Sequence, residues 1–408
     1  MSISIRRASV VWLVCFGLTT LSGPAEVLRC LEPDAATGTS AAVIVDDVPL
    51  VHTAQLLPLD PHGKLVGEGD VAKQADQVLA NLAQVLNFKA VESALADIIK
   101  LNVYLAEPEA LPKVQRVLSR QFTGPIKPAV SFVVGALPEP GALVAMDAVA
   151  AAGRPTPPRP AKRPKDSSSP YFRAGISHAT FLPAGPKLYI SGMADTNDLA
   201  QATRKTLEKL VAALDHLGAG KSNIIQLKAF LQPMSQVALV RQEIVNFFNG
   251  NAPPTVFVEW ISPSPNPPIE IELIANAKGD FSKEADSVTF LTPPGTTASK
   301  VFSRVARVNH GQLIYVSGLY GRQSQDAAGQ IREIFHSLDG ILKQGGSDFE
   351  HLVKATYYVS DNDASNKLND IRPEFFNPNR PPAASKAKVK GVGLPGKSVT
   401  LDMIAVTK

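Results

Sequence analysis

One stretch of the sequence has the residue spacing of a phosphate-binding loop. Residues 391–398 read GVGLPGKS, which matches the pattern G-x-x-x-x-G-K-S. Such a loop needs a helix directly after it, because the helix N-terminus supplies the N–H groups that hold the phosphates. Here the residues from Val399 to Val406 alternate in the manner of a strand. We therefore do not expect nucleotide binding.

The histidines and cysteines do not have the spacing of a metal site. The seven histidines are scattered, without an HxH or HExxH pattern, and Cys30 is the only cysteine beyond the N-terminal segment. A zinc site needs several closely spaced imidazole or thiolate ligands. We expect no metal, no cofactor and no internal disulfide. His52 lies at a predicted strand end, where a hydrogen bond to the backbone is its expected role. No G-x-S-x-G pattern supports a serine hydrolase.

A nine-residue pattern occurs three times and indicates an internal repeat. The copies, 126 and 128 residues apart, are DIIKLNVYL at 97–105, NIIQLKAFL at 223–231 and HLVKATYYV at 351–359. Each copy alternates with the period of two that is typical of a strand with one buried face. Lys100 and Lys354 occupy matching positions, and we expect both side chains to be solvated on the outer surface.

The surroundings of this pattern predict the same order of elements in each block. Two strands and a helix with an apolar face precede the pattern, and a second helix and two or more strands follow it. The strand directly before the first helix ends in a pair of small residues. These pairs are Thr53-Ala54, Ser191-Gly192 and Ser317-Gly318. The order predicts the α+β class, with one mixed sheet and two helices on one of its faces in each block.

Segments of unusual composition mark the boundaries of the blocks. Residues 1–25 contain Arg6, Arg7 and an apolar stretch too short to span a bilayer, which predicts a signal peptide. We therefore expect export to the periplasm or the medium, with no membrane span after cleavage. The proline-rich basic stretch 153–170 and the break at 280–298 predict linkers. The three domains are then expected at 36–152, 171–279 and 299–408.

The composition is that of a globular protein of several domains. The 408 residues are 45% hydrophobic and 19% charged, which excludes a disordered chain. The formal net charge of +4 is too small to predict a nucleic-acid partner.

The repeat also predicts how the three domains assemble. A sheet with both helices on one face leaves its other face bare, and that face must be buried. Three copies in one chain can cover one another around a pseudo-threefold axis. We therefore expect an intramolecular pseudo-trimer that is a monomer in solution.

The third block carries a resemblance to a known family. LIYVSG at 313–318, VKATYYV at 353–359, EFF at 374–376, RPPAAS at 380–385 and LDMIA at 401–405 resemble the Rid family. This family is also called YjgF or endoribonuclease L-PSP. The first block adds TAQLLPLDPHGKL, which is similar to the family's turn after the small pair. The resemblance covers nearly the whole chain after residue 25, once per block.

The resemblance implies a fold, an activity and a site. It implies three tandem Rid-like, chorismate-mutase-like domains, with small-molecule ligands bound in the clefts between neighbouring domains. The implied activity is the hydrolysis of enamines and imines, such as 2-iminobutanoate and 2-iminopropanoate, to keto acids and ammonia. In the family an Arg pairs with the substrate carboxylate, and a Glu positions or deprotonates the attacking water.

At these positions the chain departs from the family pattern. The Arg position is occupied by Val130, Val256 and Ala384, and the Glu position by Ala145, Glu270 and Thr400. A helix position that is often Asn in the family holds Gln115, Arg241 and Asn369. Loss of the Arg removes a charge-assisted interaction of about 1.5–3 kcal/mol. We therefore expect weakened or altered deamination.

The resemblance leaves the candidate site and its activity open. The substrate-binding candidates are Ser191, Gly192, Arg241, Ser317, Gly318 and Asn369, and the catalytic candidate is Glu270. One hypothesis places Glu270, Arg241 and a Ser-Gly pair of a neighbouring block in one cleft. Glu270 could equally be a strand-surface carboxylate paired with a Lys or Arg.

Two other functions remain open. In the first, the protein is a non-catalytic binding or scaffolding protein whose clefts hold an apolar or neutral ligand. In the second, it is a nuclease, a reading that rests on one of the family's names and on the basic linker. An assay of imine hydrolysis tests the former, and salt-dependent RNA binding tests the latter.

Overall fold

The computed structural model of the protein describes residues 27–88, 91, 93–152, 175–262, 264 and 266–408. The predicted signal peptide at 1–25 and the predicted linker at 153–170 lie outside the described residues.

The three blocks fold with the predicted order of elements. The first has β1 (Leu28–Asp34), β2 (Thr39–Val45), β3 (Leu50–Thr53), α1 (Val71–Leu86), β4 (Ile98–Leu105), α2 (Leu111–Gln121), β5 (Ala129–Val134) and β6 (Val144–Ala151). The second has β7 (Ala179–Leu182), β8 (Lys187–Ala194), α3 (Leu199–His216), β9 (Ile224–Leu231), α4 (Val237–Phe247), β10 (Thr255–Glu259) and β11 (Ile269–Asn276). The third has β12 (Val288–Leu291), β13 (Val305–Val308), β14 (Leu313–Val316), α5 (Ala327–Gln344), β15 (Leu352–Val359), α6 (Asn362–Ile371), β16 (Ala383–Lys388) and β17 (Val399–Val406).

Local sequence explains where the helices begin. Asp70, Asp198 and Asp326 precede α1, α3 and α5, and each carboxylate accepts a hydrogen bond from a backbone N–H of the first turn. The segment GVGLPGKS at 391–398 is a turn that leads into β17 rather than into a helix. The segment at 280–298, expected to be a linker, contains β12, which pairs antiparallel with β13.

Each domain has one strand, β2, β7 or β13, that pairs with a neighbouring domain. β7 of the second domain pairs with β3 of the first, β13 of the third with β8 of the second, and β2 of the first with β14 of the third. The sequence predicted the right strands but not this partnership. Alternation of apolar residues specifies which face of a strand is buried, and it does not specify which of three similar neighbours the strand pairs with. This pairing closes a ring around the molecule.

The packing confirms the predicted pseudo-trimer. Each domain has an apolar core between its helices and its sheet. A fourth apolar cluster lies on the other faces of the sheets and draws on all three domains. Its members include Ile99, Ile225 and Val353, which occupy matching positions. The bare sheet faces thus cover one another, as the repeat predicted.

Ionisable side chains lie in the interior where the three sheets meet. The prediction that Lys100 and Lys354 are solvated is wrong, because their side chains are only 2% and 8% exposed. The Nζ atoms of Lys100 and Lys228 lie 3.2 and 3.1 Å from the Asp402 carboxylate, and Lys354 Nζ lies 2.7 Å from Glu272. Each ion pair joins two domains. The face opposite the helices looks toward a neighbouring domain and not toward water.

Candidate functional site

Strand register defines equivalent positions in the three domains. β5 and β16 run parallel to β4 and β15, with Val130 opposite Leu101 and Ala384 opposite Ala355. In the second domain the residue at this register is Thr255, opposite Leu227. The assignment of Val256 to the family's Arg position is therefore wrong by one residue. Two consecutive prolines, at 253 and 254, make the sequence alignment ambiguous there, and Val256 points to the opposite face of the strand.

The same comparison shifts the small pair of the first block. The N–H of Ser191 donates to Arg304 O and that of Ser317 to Ala41 O, and the matching donor in the first domain is Ala54, to His178 O. The pair equivalent to Ser191-Gly192 is therefore Ala54-Gln55 and not Thr53-Ala54.

Three clefts follow from these equivalences, each named by its two domains. Cleft 2/3 is formed by Ser191, Gly192 and Glu270 of the second domain with Arg304, Asn369, Ala384, Ser385 and Lys386 of the third. Cleft 1/3 contains Ser317, Gly318 and Thr400 with Gln115, Val130 and Phe132. Cleft 1/2 contains Ala54 and Gln55 with Arg241, Thr255 and Phe257.

In cleft 2/3 the Glu270 side chain lies directly against the backbone of Gly192. A Cβ atom added to Gly192 would lie 2.0 Å from Glu270 Oε1, so no other residue fits here while the carboxylate keeps this position. The register places Ala145 and Thr400 at the equivalent positions of the first and third domains. Of the three matching positions, only Glu270 carries a carboxylate.

Serine hydroxyls bind the two sides of cleft 2/3 together. Ser191 Oγ donates to Ser303 O at 2.5 Å and accepts from the N–H of Ala384 at 2.8 Å. Ser385 Oγ accepts from the N–H of Gly192 at 3.0 Å. The second domain therefore contributes the carboxylate and the small pair, and the third domain contributes the opposite wall.

Cations surround the carboxylate although the family's Arg is absent. Arg304 Nη1 donates to Gly192 O at 2.8 Å, which holds the guanidinium at the cleft. Lys386 Nζ donates to Asn369 Oδ1 at 2.9 Å, and Arg372 Nη2 donates to the same oxygen at 2.9 Å. Positive charge has thus been supplied from other positions around Ala384.

Burial and neighbouring charges shift the pKa values of two groups in cleft 2/3 toward neutral pH. Burial raises the pKa of Glu270 to about 7, and Glu272 adds to the effect, whereas Ser385, Arg304 and Lys386 oppose it. Burial and the charge of Arg372 lower the pKa of Lys386 to about 8. A carboxyl group with a pKa near 7 can both accept and return a proton at neutral pH.

Cleft 1/3 has a different character. Val130 N–H donates to Ser317 Oγ at 2.7 Å, and Gly318 N–H donates to Val130 O at 2.9 Å, so the two domains are joined as in cleft 2/3. A cavity of about 930 Å³ opens here, with Val130, Phe132 and Tyr320 in its wall. Thr400 Oγ1 donates to Leu319 O at 3.1 Å. The positions that hold Glu270 and Lys386 in cleft 2/3 are Thr400 and Phe132 here.

Arg241 lies in cleft 1/2 and not beside Glu270. It lines a cavity of about 230 Å³ with Ala54, His178 and Thr255, and its guanidinium lies 5.2 Å from the Phe257 ring centre. The hypothesis of one cleft containing Glu270, Arg241 and a neighbour's Ser-Gly pair does not match this arrangement, since the Ser-Gly pair beside Glu270 belongs to its own domain. The cleft that contains Glu270 instead contains Asn369, at the helix position equivalent to Arg241.

The side chain of Gln55 narrows cleft 1/2. Its amide nitrogen donates to Phe257 O at 3.1 Å, and its oxygen accepts from the N–H of Phe257 at 3.3 Å. The equivalent residues of the other two clefts, Gly192 and Gly318, have no side chain, and the Glu270 carboxylate and the Thr400 hydroxyl lie beside them instead.

Sequence reasoning missed Arg304, Ser385 and Lys386. Lys386 stands two residues after Ala384 and so shares its strand face, which alternation alone would have shown. Arg304 matches Ala41 and His178, a correspondence that only the strand pairing between domains reveals. Within the described residues, His, Cys, Asp and Glu side chains form no group of three that could hold a metal ion. None of the described helices is long and apolar enough to cross a membrane.

Comparisons with known proteins agree with the repeat. The family described as Endoribonuclease L-PSP matches residues 31–152, 167–277 and 296–407. Protein HMF1 of Saccharomyces cerevisiae is 37% identical over 120 residues, which are 29% of this chain and 88% of that protein. The 2-iminobutanoate/2-iminopropanoate deaminase of Rattus norvegicus is 29% identical over 129 residues, which are 31% of this chain and 90% of that protein.

One solved structure also aligns with part of this chain. YyfB from Yersinia pestis, described as a Rid family protein of unknown function, is 28% identical, with a TM-score of 0.29. The match covers 31% of this chain and 98% of that chain. HMF1 and the Rattus norvegicus deaminase each correspond to about one domain of the present protein.

Proposed function

Because this chain belongs to the Endoribonuclease L-PSP, or Rid, family, we propose that it hydrolyses reactive enamine or imine intermediates to keto acids and ammonia in cleft 2/3. Relatives named 2-iminobutanoate/2-iminopropanoate deaminase support the type of reaction. The observation that carries the proposal is that Glu270, Arg304 and Lys386 lie in the same cleft. Neither of the other two clefts has a carboxylate at the position of Glu270.

The geometry gives each side chain a role. Arg304 and Lys386 provide the positive charge that a substrate carboxylate needs in place of the lost family Arg. Glu270, as the carboxylate, takes a proton from the water that attacks the C=N carbon. It returns this proton to the nitrogen and then carries the proton of the new hydroxyl group to the same nitrogen, so that the C–N bond breaks, ammonia leaves and the carbon becomes the carbonyl carbon of a keto acid. Gly192 leaves the space that the carboxylate occupies.

The first experiment is an assay of the hydrolysis of 2-iminobutanoate and 2-iminopropanoate, generated in situ, after subtraction of the uncatalysed rate. Loss of a general acid–base group lowers rates by about 10²–10⁴-fold, and we expect Glu270→Gln to fall in this range. Thr400→Ser is the matched control, because Thr400 occupies the equivalent position in cleft 1/3, and it should keep the wild-type rate. Equal rates for wild type and Glu270→Gln would refute the proposal.

A second candidate function is the binding of an uncharged small molecule in cleft 1/3. The size of the cavity and the apolar part of its wall, Val130, Phe132 and Tyr320, favour it. Three carboxylates of the same lining, on Glu32, Asp34 and Glu333, against one guanidinium, on Arg322, disfavour an anion. The hydroxyls of Ser317 and Thr400 are already hydrogen-bonded within the protein. Calorimetry with indole-3-acetamide and indole-3-acetate tests this. The neutral amide should bind more tightly, and Val130→Arg should reverse the order. Preference of the wild type for the anion would contradict it.

We also propose that the protein is exported, on the strength of the sequence of residues 1–25. N-terminal sequencing of protein recovered from outside the cytoplasm would find a start after residue 25. A chain that retains Met1 and stays in the cytoplasm would contradict this.

A further inference from the structure

The wall of cleft 2/3 that the third domain contributes contains Lys386, whose amine the hydrolytic reaction described above uses only as a positive charge. Lys386 is equivalent by register to Phe132 and Phe257, because the three residues face Tyr357, Val103 and Ala229 on the neighbouring strands. Phe132 and Phe257 line the cavities of the other two clefts. The side chain of Lys386 therefore starts from a position that faces the cleft.

The surroundings of Lys386 are those of an activated amine rather than of a surface lysine. The residue is partly buried, and its Nζ donates to Asn369 Oδ1 at 2.9 Å and to Ser365 O at 3.3 Å. Arg372 also donates to Asn369 Oδ1, which brings a second cation to the same acceptor. Partial burial beside a cation favours the neutral, nucleophilic form of a lysine. The lowered pKa of Lys386, about 8, is consistent with this.

The position of the amine suits the chemistry of the substrate and the product. Imines exchange their nitrogen with amines, and the keto acid product has a carbonyl that an amine can attack. Ser385, the residue before Lys386, accepts from the N–H of Gly192 at 3.0 Å, and the Glu270 carboxylate lies against that same glycine, so a proton acceptor shares the cleft with the amine. Neither Phe132 nor Phe257 could act in this way, which again sets cleft 2/3 apart.

From this geometry, and resting on the proposed function of cleft 2/3, we propose that Lys386 is a catalytic nucleophile that binds the substrate carbon as a Schiff base. The neutral Lys386 Nζ attacks the carbon of the C=N group, its two protons pass to the substrate nitrogen by way of Glu270, and the bond from carbon to that nitrogen breaks to release ammonia. The carbon is then held as C=N–Lys386. Water adds to this carbon with Glu270 as the base, both protons of the water pass to Nζ, the C–N bond to lysine breaks, and the keto acid and the free amine are released. No oxidant or reductant takes part.

Reductive trapping tests this step directly. The purified full chain is incubated with pyruvate and sodium borohydride, which reduces a Schiff base to a stable secondary amine. Digestion and mass spectrometry should find one carboxyethyl group, located on Lys386. Lys388→Arg is the matched control, since Lys388 lies on the same strand, and it should not change the labelling. Absence of the adduct from Lys386, or labelling equal to that of exposed lysines, would overturn the proposal.

Lys386→Arg separates a nucleophile from a simple positive charge. Arginine keeps the charge that attracts the carboxylate but forms no Schiff base, so kcat should fall on the order of tenfold or more while KM changes little. A variant that keeps both kcat and the wild-type melting temperature would show that only charge is needed and would refute the nucleophile. Lys386→Met, which loses charge and amine, should lose kcat and raise KM.

The two proposals fail in different ways. Imine hydrolysis without an adduct at Lys386 would overturn the Schiff base and leave the proposed function intact. Trapping of pyruvate on Lys386 without imine hydrolysis would overturn the proposed function and keep the nucleophile.

Discussion

Replacement of Asp402 by Asn should destabilise the whole molecule. Asp402 accepts from Lys100 and Lys228, whose side chains are 2% and 6% exposed, while that of Asp402 is 7% exposed. Burial alone would raise the pKa of this carboxyl, but the two lysines outweigh it and hold the pKa far below its usual range. The carboxylate therefore compensates two buried cations that belong to two other domains.

The expected magnitude follows from the charge left behind. Removal of one partner of a buried ion pair costs about 3–5 kcal/mol, because the other charge is then uncompensated. With an unfolding entropy of about 2.1 cal/mol/K per residue, this cost lowers Tm by about 4–6 °C for a chain of this length. The matched control is Asp76→Asn. Asp76 pairs with Arg120 at 2.8 Å, but the side chains are 54% and 65% exposed, and such pairs contribute about 0–1 kcal/mol.

The pH dependence gives a second measure of the same effect. Burial already holds the folded-state pKa of Lys100 below its value in the unfolded chain, and loss of the Asp402 carboxylate, which opposes this effect, lowers it further. The folded state then binds fewer protons than the unfolded state, so stability rises with pH. The deficit of Asp402→Asn relative to wild type should therefore shrink between pH 7 and pH 10. Calorimetric melting at several pH values measures both quantities. A deficit below about 1 kcal/mol, or one that grows with pH, would refute this electrostatic account.

Further predictions concern the cleft and the assembly. Gly192→Ala should lower imine hydrolysis strongly, because the new Cβ displaces the Glu270 carboxylate, whereas Gly340→Ala, with no atom within 4 Å of its Cβ, should keep the wild-type rate; equal rates would contradict the close approach. The rate of imine hydrolysis should fall as the pH drops below about 7, because protonation of Glu270 removes the base; a rate that does not change down to pH 5 would exclude this role. Glu270→Gln should raise Tm at pH 8 but not at pH 4. The pKa of Glu270 is higher in the folded than in the unfolded chain, so its ionisation destabilises the folded state only at a pH above the unfolded-state pKa; an equal change in Tm at both pH values would disprove that cost. Light scattering should give the mass of one chain, since the β2–β14 pairing closes the ring internally; a trimer would contradict a self-contained assembly.

Much of the fold could be predicted because the signals are local or repeated. The nine-residue strands, the Asp caps and the bare sheet faces each depend on a short stretch of sequence. The pairing of β2, β7 and β13 with neighbouring domains could not be predicted, since β7 has the same alternation whether it pairs with β3 or with β8. The burial of Lys100 and Lys354 was missed for a related reason. A lysine on the sheet face opposite the helices is expected to be exposed to solvent. It can be buried only if the neighbouring domain that covers this face carries carboxylates to pair with it.

The candidate site was predictable where a residue is read within one block, and not where two blocks meet. Glu270 stands out in a single strand, and Asn369 in a single helix. Arg304 enters cleft 2/3 from the third domain by way of β13, which pairs with the second domain, so no pattern within the second domain points to it. The off-by-one assignment of Val256 has another cause, because two prolines before β10 leave the strand start undefined until its hydrogen-bond register with β9 is known.

The single chain explains why the three clefts can differ. In a homotrimer of such domains, a substitution appears in all three clefts at once, so the carboxylate cannot be lost from one cleft and kept in another. Here the position of Glu270 holds Ala145 in the first domain and Thr400 in the third. The position of Lys386 holds Phe132 in the first domain and Phe257 in the second. The carboxylate and the amine lie in the same cleft although they come from different domains. If cleft 2/3 alone is catalytic, Glu270→Gln and Lys386→Met should each abolish all of the protein's hydrolysis, and the double variant should be no worse than either. A double variant whose loss of activity equals the two single losses combined would mean that the two residues act in separate sites.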